Sequence, residues 1–176
     1  MIERLDLTAS IVLHNENLKE LSKTVDCFLD VSLKKKLFLI DNTSNQRFKN
    51  IFKHPEVEYI AVGKNIGFGA GHNMITDKIK DLSYYHLILN PDVSFKGSII
   101  SNMIAVLKDN NELAMIAPKV LFPNKTHQYS CRRYPSVQEL TVRRFFLKSI
   151  FKKTISRGTY RDRDLSKPFF VEYITG

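Results

Sequence analysis

Short apolar runs that end in a turn residue recur through the chain, and helical periodicity fills the gaps between them. Leu7-Thr8-Ala9-Ser10-Ile11-Val12-Leu13-His14 reads as a first strand. Leu37–Ile40 is a second, with Asp41 at its tip, and Val57–Val62 is a third. Tyr85–Leu89 is a fourth, and its unbroken Leu87-Ile88-Leu89 is the pattern of a strand covered on both faces. Pro91 lacks the N–H a ladder needs, so this strand ends at Asn90. Leu113–Ala117 predicts a further strand, stopped by Pro118.

The intervening stretches change period. Leu18, Leu21, Val25, Phe28 and Leu29 fall on one side of a helix, Asn17 suits its cap, and Glu20 stands three residues on, as in a capping box. Gln46–Lys53 predicts a short helix or turn, broken by His54-Pro55-Glu56. Met74–Ile79 predicts a helix beginning beside a glycine-rich loop, an arrangement that suits an anion. Gly97–Leu107 predicts another helix, with Ile99, Met103, Ile104 and Leu107 on one face. Strands alternating with helices give βαβ units, hence an α/β fold with a mostly parallel sheet and helices on both faces.

The pattern changes after Pro123. Leu140–Ile155 predicts a helix on which Arg144, Lys148 and Lys152 form a stripe, with Leu140, Phe146, Leu147, Ile150 and Phe151 over much of the rest. Arg143 and Lys153 spoil the segregation. Such a helix either lies on an anionic membrane surface or packs on the sheet with its lysines snorkelling. Residues 156–167 read as a mobile polar loop, and Phe169–Gly176 returns to strand character.

Charge sharpens this division. The 176 residues carry a net charge of +9, and Arg132–Lys167 holds eleven basic residues against three acids, a net +8. Such a run is a solvated face or a pointer to an anionic partner. The length suits one domain with a sizeable core. No apolar run approaches the ~20 residues that span a bilayer. The N-terminus, Met1–Leu7, has acids and no long apolar segment, so it is not a signal peptide. Cys27 and Cys131 lack metal or redox spacing and read as free thiols in a reducing cytosol.

The candidate chemistry sits at the strand ends. Asp92 follows the fourth strand, where open α/β sheets bind ligands, although a lone Asp in a turn also serves as a backbone cap. Asp41 follows the second strand in the same way. His14 ends the first strand and reads as a nucleotide contact or a structural residue. Lys64-Asn65-Ile66-Gly67-Phe68-Gly69-Ala70-Gly71-His72-Asn73 follows the third strand, and its alternating glycines let a backbone approach a ligand or turn through positive φ. A dinucleotide fingerprint would follow the first strand as G-x-G-x-x-G. Here His72 stands where its last glycine belongs, which argues against a nicotinamide or flavin enzyme.

Three motifs in order, Ile40-Asp41-Asn42-Thr43-Ser44, Asn65–Asn73 and Leu89-Asn90-Pro91-Asp92, resemble the nucleotide-sugar half of a family-two glycosyltransferase, in particular its rhamnosyltransferase-like branch. The resemblance runs from about Ala9 to Gly176. It implies a GT-A fold, Rossmann-like and here incomplete at its C-terminus. Residues 1–122 would form the nucleotide-sugar-binding core, and 123–176 a basic segment on the acceptor or membrane side that ends in a strand of the core. It implies an inverting transferase that moves a sugar from a nucleotide diphosphate to a saccharide or lipid-linked acceptor, with dTDP-rhamnose as donor, in bacterial surface polysaccharide synthesis such as that of O-antigen. The location it implies is cytoplasmic, peripheral on the inner face of the cell membrane.

On that resemblance Asp41 binds the donor base or ribose, with Asn42 beside it. Asn65, Gly67, Phe68, Gly69, Gly71 and Asn73 line the nucleotide pocket, and Asp92 holds Mg²⁺ or Mn²⁺ on the diphosphate. The family's D-x-D stands here as Asn90-Pro91-Asp92, with one carboxylate. Val171–Gly176 resembles the family's V-D-W-x-x-G, after which relatives continue into an acidic stretch that carries the catalytic base. The base is therefore expected beyond Gly176. Glu172, near the site in the family pattern but not its usual base, is the candidate within the chain. The expectation is a donor-binding part with little turnover. Two other functions compete: a catalytically inactive nucleotide-sugar-binding module, and a basic nucleic-acid-binding protein. The last rests on charge alone and lacks a recognised motif, so no nucleic-acid partner is expected.

Overall fold

The computed structural model describes residues 3–134 and 158–175. The chain divides into two compact units, Met1–Ala114 and Met115–Gly176.

The first unit alternates strand and helix. Its elements are β1 (Leu5–Leu13), α1 (Leu18–Leu29), β2 (Lys35–Asp41), β3 (Val57–Ala61), α2 (Phe68–Asn73), α3 (Thr76–Lys80), β4 (Ser83–Ile88) and α4 (Gly97–Asp109). The four strands pair in parallel in the order β3-β2-β1-β4. This is an α/β, Rossmann-like arrangement, as the alternation of periods predicts.

The side-chain alternation of β1 divides the core. Leu7, Ala9, Ile11 and Leu13 face one way, into a cluster with Leu21, Val25 and Phe28 of α1, Leu37 and Leu39 of β2, and Ile100 and Ile104 of α4. Val12 faces the other way, into a cluster with Phe38, Ile40 and Ile75 and the partly buried Ile79 of α3. Both faces of the sheet are therefore covered at its central strands β1 and β2, whereas β4 lies at the edge with Ile88 exposed, so Leu87-Ile88-Leu89 is not covered on both faces as its unbroken pattern predicts. Asn17 caps α1 as its sequence position predicts: its Oδ1 accepts from the amides of Lys19 and Glu20 at 2.9 and 3.4 Å.

Two elements differ from the sequence pattern. No ladder includes Leu113–Ala117 among the described residues. An apolar run signals burial, but a strand exists only where another strand pairs with it, and Met115 is exposed. The glycine stretch, expected as a loop leading to a helix at Met74, is itself helical from Phe68. Glycines disfavour helix in isolation; close packing on β1 overrides that preference.

In the second unit β5 (Cys131–Arg132) pairs antiparallel with β6 (Tyr173–Ile174). Pairing thus involves two residues of the Phe169–Gly176 stretch, and Gly176 lies outside the described residues. Residues 158–167 form a run of turns rather than a featureless loop. Arg133 anchors them, forming an ion pair with Asp162 at 2.9 Å and stacking over Tyr160. The helix expected over Leu140–Ile155 lies outside the described residues. Among the described residues no helix is long and apolar enough to cross a membrane.

Candidate functional site

Strand order places the site. From β1 the chain moves to β2 and β3 on one side, whereas β4 joins the opposite side. In open α/β sheets the loops at the carboxyl ends beside such a reversal of strand order are the usual ligand position. The residues that follow β1, β2, β3 and β4 are His14, Asn42, Val62 and Leu89, with Asp92 three positions beyond Leu89.

The tip of β2 is tied to its neighbours on both sides. The Asn42 amide donates to Leu13 O at 2.8 Å, extending the ladder to the end of β1. Its side-chain Nδ2 donates to Gly67 O at 3.1 Å, which links β2 to the glycine turn. The remaining Asn42 Oδ1 is buried and has no partner among the described residues. Asp41 is fully buried. Its Oδ1 accepts from the Thr43 amide at 2.8 Å and the Thr43 hydroxyl at 2.7 Å, and its Oδ2 accepts from the Tyr59 hydroxyl at 2.5 Å. Burial, then the hydrogen bond and charge of Asp41, push the Tyr59 phenol well above its usual range, so it stays a donor. Asp41 thus holds β2, its following turn and β3 together.

The glycine turn is shaped by backbone conformation. Gly67 has φ +88°, a value that disfavours any residue with a Cβ. Asn65 Oδ1 accepts from the Gly67 amide at 2.9 Å, and α2 begins immediately afterwards. Gly71 lies against β1, where a Cβ would stand 2.7 and 2.9 Å from the two Val12 methyl carbons. Gly69 meets nothing within 4 Å. The exposed Phe68 ring packs edge-on against His72 at 4.4 Å between centroids. Asn73, also expected in the nucleotide pocket, is exposed at the end of α2.

Beneath α2 runs a buried polar chain that the motif reading did not include. Ser10 Oγ lies 2.7 Å from His72 Nδ1 and 2.8 Å from His86 Nε2. His86 Nδ1 lies 2.9 Å from Thr8 Oγ1, which lies 2.7 Å from Ser83 Oγ. Burial holds both imidazoles below their usual range, His86 at about 4 with a further contribution from His72. His72 Nε2 is buried without a partner among the described residues. The available signal was Thr8 and Ser10 alternating within an otherwise apolar strand: polar groups on a covered face require partners.

Asp92 is an exposed acid at these strand ends. It lies in the turn after β4 and makes no ion pair or hydrogen bond among the described residues. A free carboxylate in a solvent-open turn has the donor chemistry of a hard divalent cation whose other ligands are phosphate oxygens and water. No group of three His, Cys, Asp or Glu residues suited to a metal occurs among the described residues. His14 is exposed, and its amide donates to Glu16 Oε1 at 3.2 Å. Glu172 lies in the second unit, where its carboxylate accepts from the Tyr134 amide and its own amide donates to the Tyr160 hydroxyl.

The fold is an α/β chain whose strand ends carry a glycine turn tied to Asn42 and, in the turn after β4, a carboxylate without a partner among the described residues. No family model matches the chain. A stretch of 85 residues is 28% identical to the low-salt glycan biosynthesis hexosyltransferase Agl10 of Haloferax volcanii, covering 47% of this chain and 27% of that protein. The match supports a relationship to glycosyltransferases of glycan biosynthesis.

Proposed function

We propose that this chain forms the donor-binding part of an inverting glycosyltransferase that takes a sugar from a nucleoside diphosphate. The observation that carries the reading is Asp92, exposed and without a partner among the described residues, in the turn that follows β4 at the carboxyl end of the sheet. The relationship to a hexosyltransferase supports the same reaction class.

In this reading Asp41 and Asn42 form the base and ribose wall. Buried Asp41 acts by fixing that wall, and the partnerless Asn42 Oδ1 offers an acceptor when the glycine turn shifts. Asn65, Gly67, Phe68, Gly69, Gly71 and Asn73 line the nucleotide pocket. Asp92 supplies the protein's carboxylate to Mg²⁺ or Mn²⁺, which when bound neutralises charge on the diphosphate leaving group. The donor we propose first is dTDP-rhamnose, and the acceptor a saccharide or lipid-linked saccharide. The base that takes the acceptor proton is not assigned; Glu172 remains the candidate within the chain. The basic second segment is proposed to face an anionic membrane surface on the cytoplasmic side.

The test is a thermal-shift and calorimetry panel of nucleotide-sugars, each with and without Mn²⁺, with a single-stranded RNA as competitor. A nucleotide-sugar that binds more tightly with Mn²⁺ supports the reading. Binding of RNA but no nucleotide-sugar overturns it.

A further inference from the structure

We infer that Thr24, in the middle of α1, positions Asp92 for the diphosphate and its cation; the inference rests on the donor-site reading above. Thr24 is fully buried on the inward face of α1. A threonine within a helix commonly bonds back to the carbonyl one turn earlier. Here Glu20 O, at 3.2 Å, is the farthest of three acceptors within reach of the single hydroxyl proton. Pro91 O lies at 2.9 Å and Val93 O at 2.7 Å, and the Val93 amide donates to the same oxygen at 3.1 Å. Donating its proton to Pro91 O and accepting from the Val93 amide, one hydroxyl grips the backbone on both sides of Asp92.

The grip continues along the same stripe of α1. The Phe95 amide points to Cys27 Sγ at 3.5 Å. At Gly97 the chain passes so close to the turn that ends α1 that a Cβ would lie 3.1 Å from Asp30 O and 3.2 Å from Val31 Cα. Positions 24 and 27 share one helical face, so the 91–97 segment is fastened at two points along α1 and at a third just past its end. Thr24 is the fastener that brackets the acid. Among the described residues the Asp92 side chain makes no hydrogen bond or ion pair that would orient it, so its placement follows the backbone of its turn. A carboxylate that shares a cation with a mobile ligand gains from such a fixed backbone, because freedom lost before binding is not lost during it.

The experiment compares Thr24→Val, which keeps shape and loses the hydroxyl, with Thr24→Ser, which keeps the hydroxyl. Val25→Ala, buried on the same helix, controls for general loss of stability. Two quantities are read on the whole chain. One is the dTDP dissociation constant with and without Mn²⁺; the other is hydrogen exchange at the Val93 amide without ligand. Supporting groups behind a metal ligand are typically worth about 10–100-fold in metal affinity. Thr24→Val is expected to lose about tenfold or more of the Mn²⁺ enhancement, to change metal-free binding little, and to exchange faster at Val93. Thr24→Ser and Val25→Ala keep the enhancement. If Thr24→Val does not fold, Thr24→Ala takes its place. Wild-type enhancement that survives in the hydroxyl-less variant overturns the positioning role alone. Absence of Mn²⁺ enhancement in the wild type overturns the donor-site reading itself.

Discussion

His72 on α2 and His86 on β4 meet at one hydroxyl, Ser10 Oγ, at 2.7 and 2.8 Å. Both imidazoles are pushed down by burial, and His86, at about 4, also feels His72. The unfolded chain takes up protons at these histidines below about pH 6.5, whereas folded His86 resists until about pH 4. Stability is therefore lost as pH falls from about 6.5 towards 4, by on the order of 3 kcal/mol for His86, with His72 adding in the same direction. Urea unfolding at pH 7.5 and pH 5 checks this. His86→Gln should flatten the dependence, and an unchanged wild-type midpoint would contradict it.

Asp92→Asn should abolish the Mn²⁺ enhancement of nucleoside diphosphate binding and leave the unfolding midpoint within about 0.5 kcal/mol of wild type, as for an exposed side chain without partners. Calorimetry with and without metal reads the first effect and urea unfolding the second. Equal wild-type affinity in both conditions removes the metal assignment.

Asp41→Ala should act differently. It leaves the Thr43 amide and the Tyr59 hydroxyl without their acceptor, at a cost of about 1–3 kcal/mol in stability. Donor binding should weaken to the same degree with and without metal. If the metal-dependent part alone were lost, the roles of Asp41 and Asp92 would be exchanged.

Two glycines two positions apart should respond in opposite senses. Gly71→Ala drives a methyl into Val12 and should cost about 1–3 kcal/mol, as overpacking does. Gly69→Ala meets open space within α2 and should be neutral or stabilising by up to about 1 kcal/mol. Thermal unfolding of the pair settles the matter, and similar effects at both positions would mean that α2 does not pack on β1 as described.

Salt-sensitive association with anionic vesicles is expected of the basic segment. Arg132–Lys167 carries a net +8, and the second unit exposes Tyr134 and Phe170. Each basic residue near such a surface contributes about 1 kcal/mol, screened by salt. Flotation with phosphatidylglycerol vesicles at low salt reads it, and protein remaining at the bottom refutes it.

The sequence by itself determined the elements of the first unit, because their signals are local. Short apolar runs mark β1, β2 and β4, Asn17 marks the start of α1, and Pro91 marks the end of a strand, each through the chemistry of residues a few positions apart. Asp92 was legible for the same reason, as an acid just past a strand end. The tertiary structure alone decided what depends on residues distant in the chain. Helix in the glycine stretch follows from Gly71 fitting against Val12. The closure of Asp41 follows from Tyr59 on the next strand. The grip on Asp92 comes from Thr24, a position whose helical spacing marks it as inward-facing but whose partners, Pro91 and Val93, no local pattern links to it. The failed strand at Leu113–Ala117 has the same origin. A sequence carries the tendency of a segment to be extended and buried, but the partner that makes it a strand is supplied by the fold.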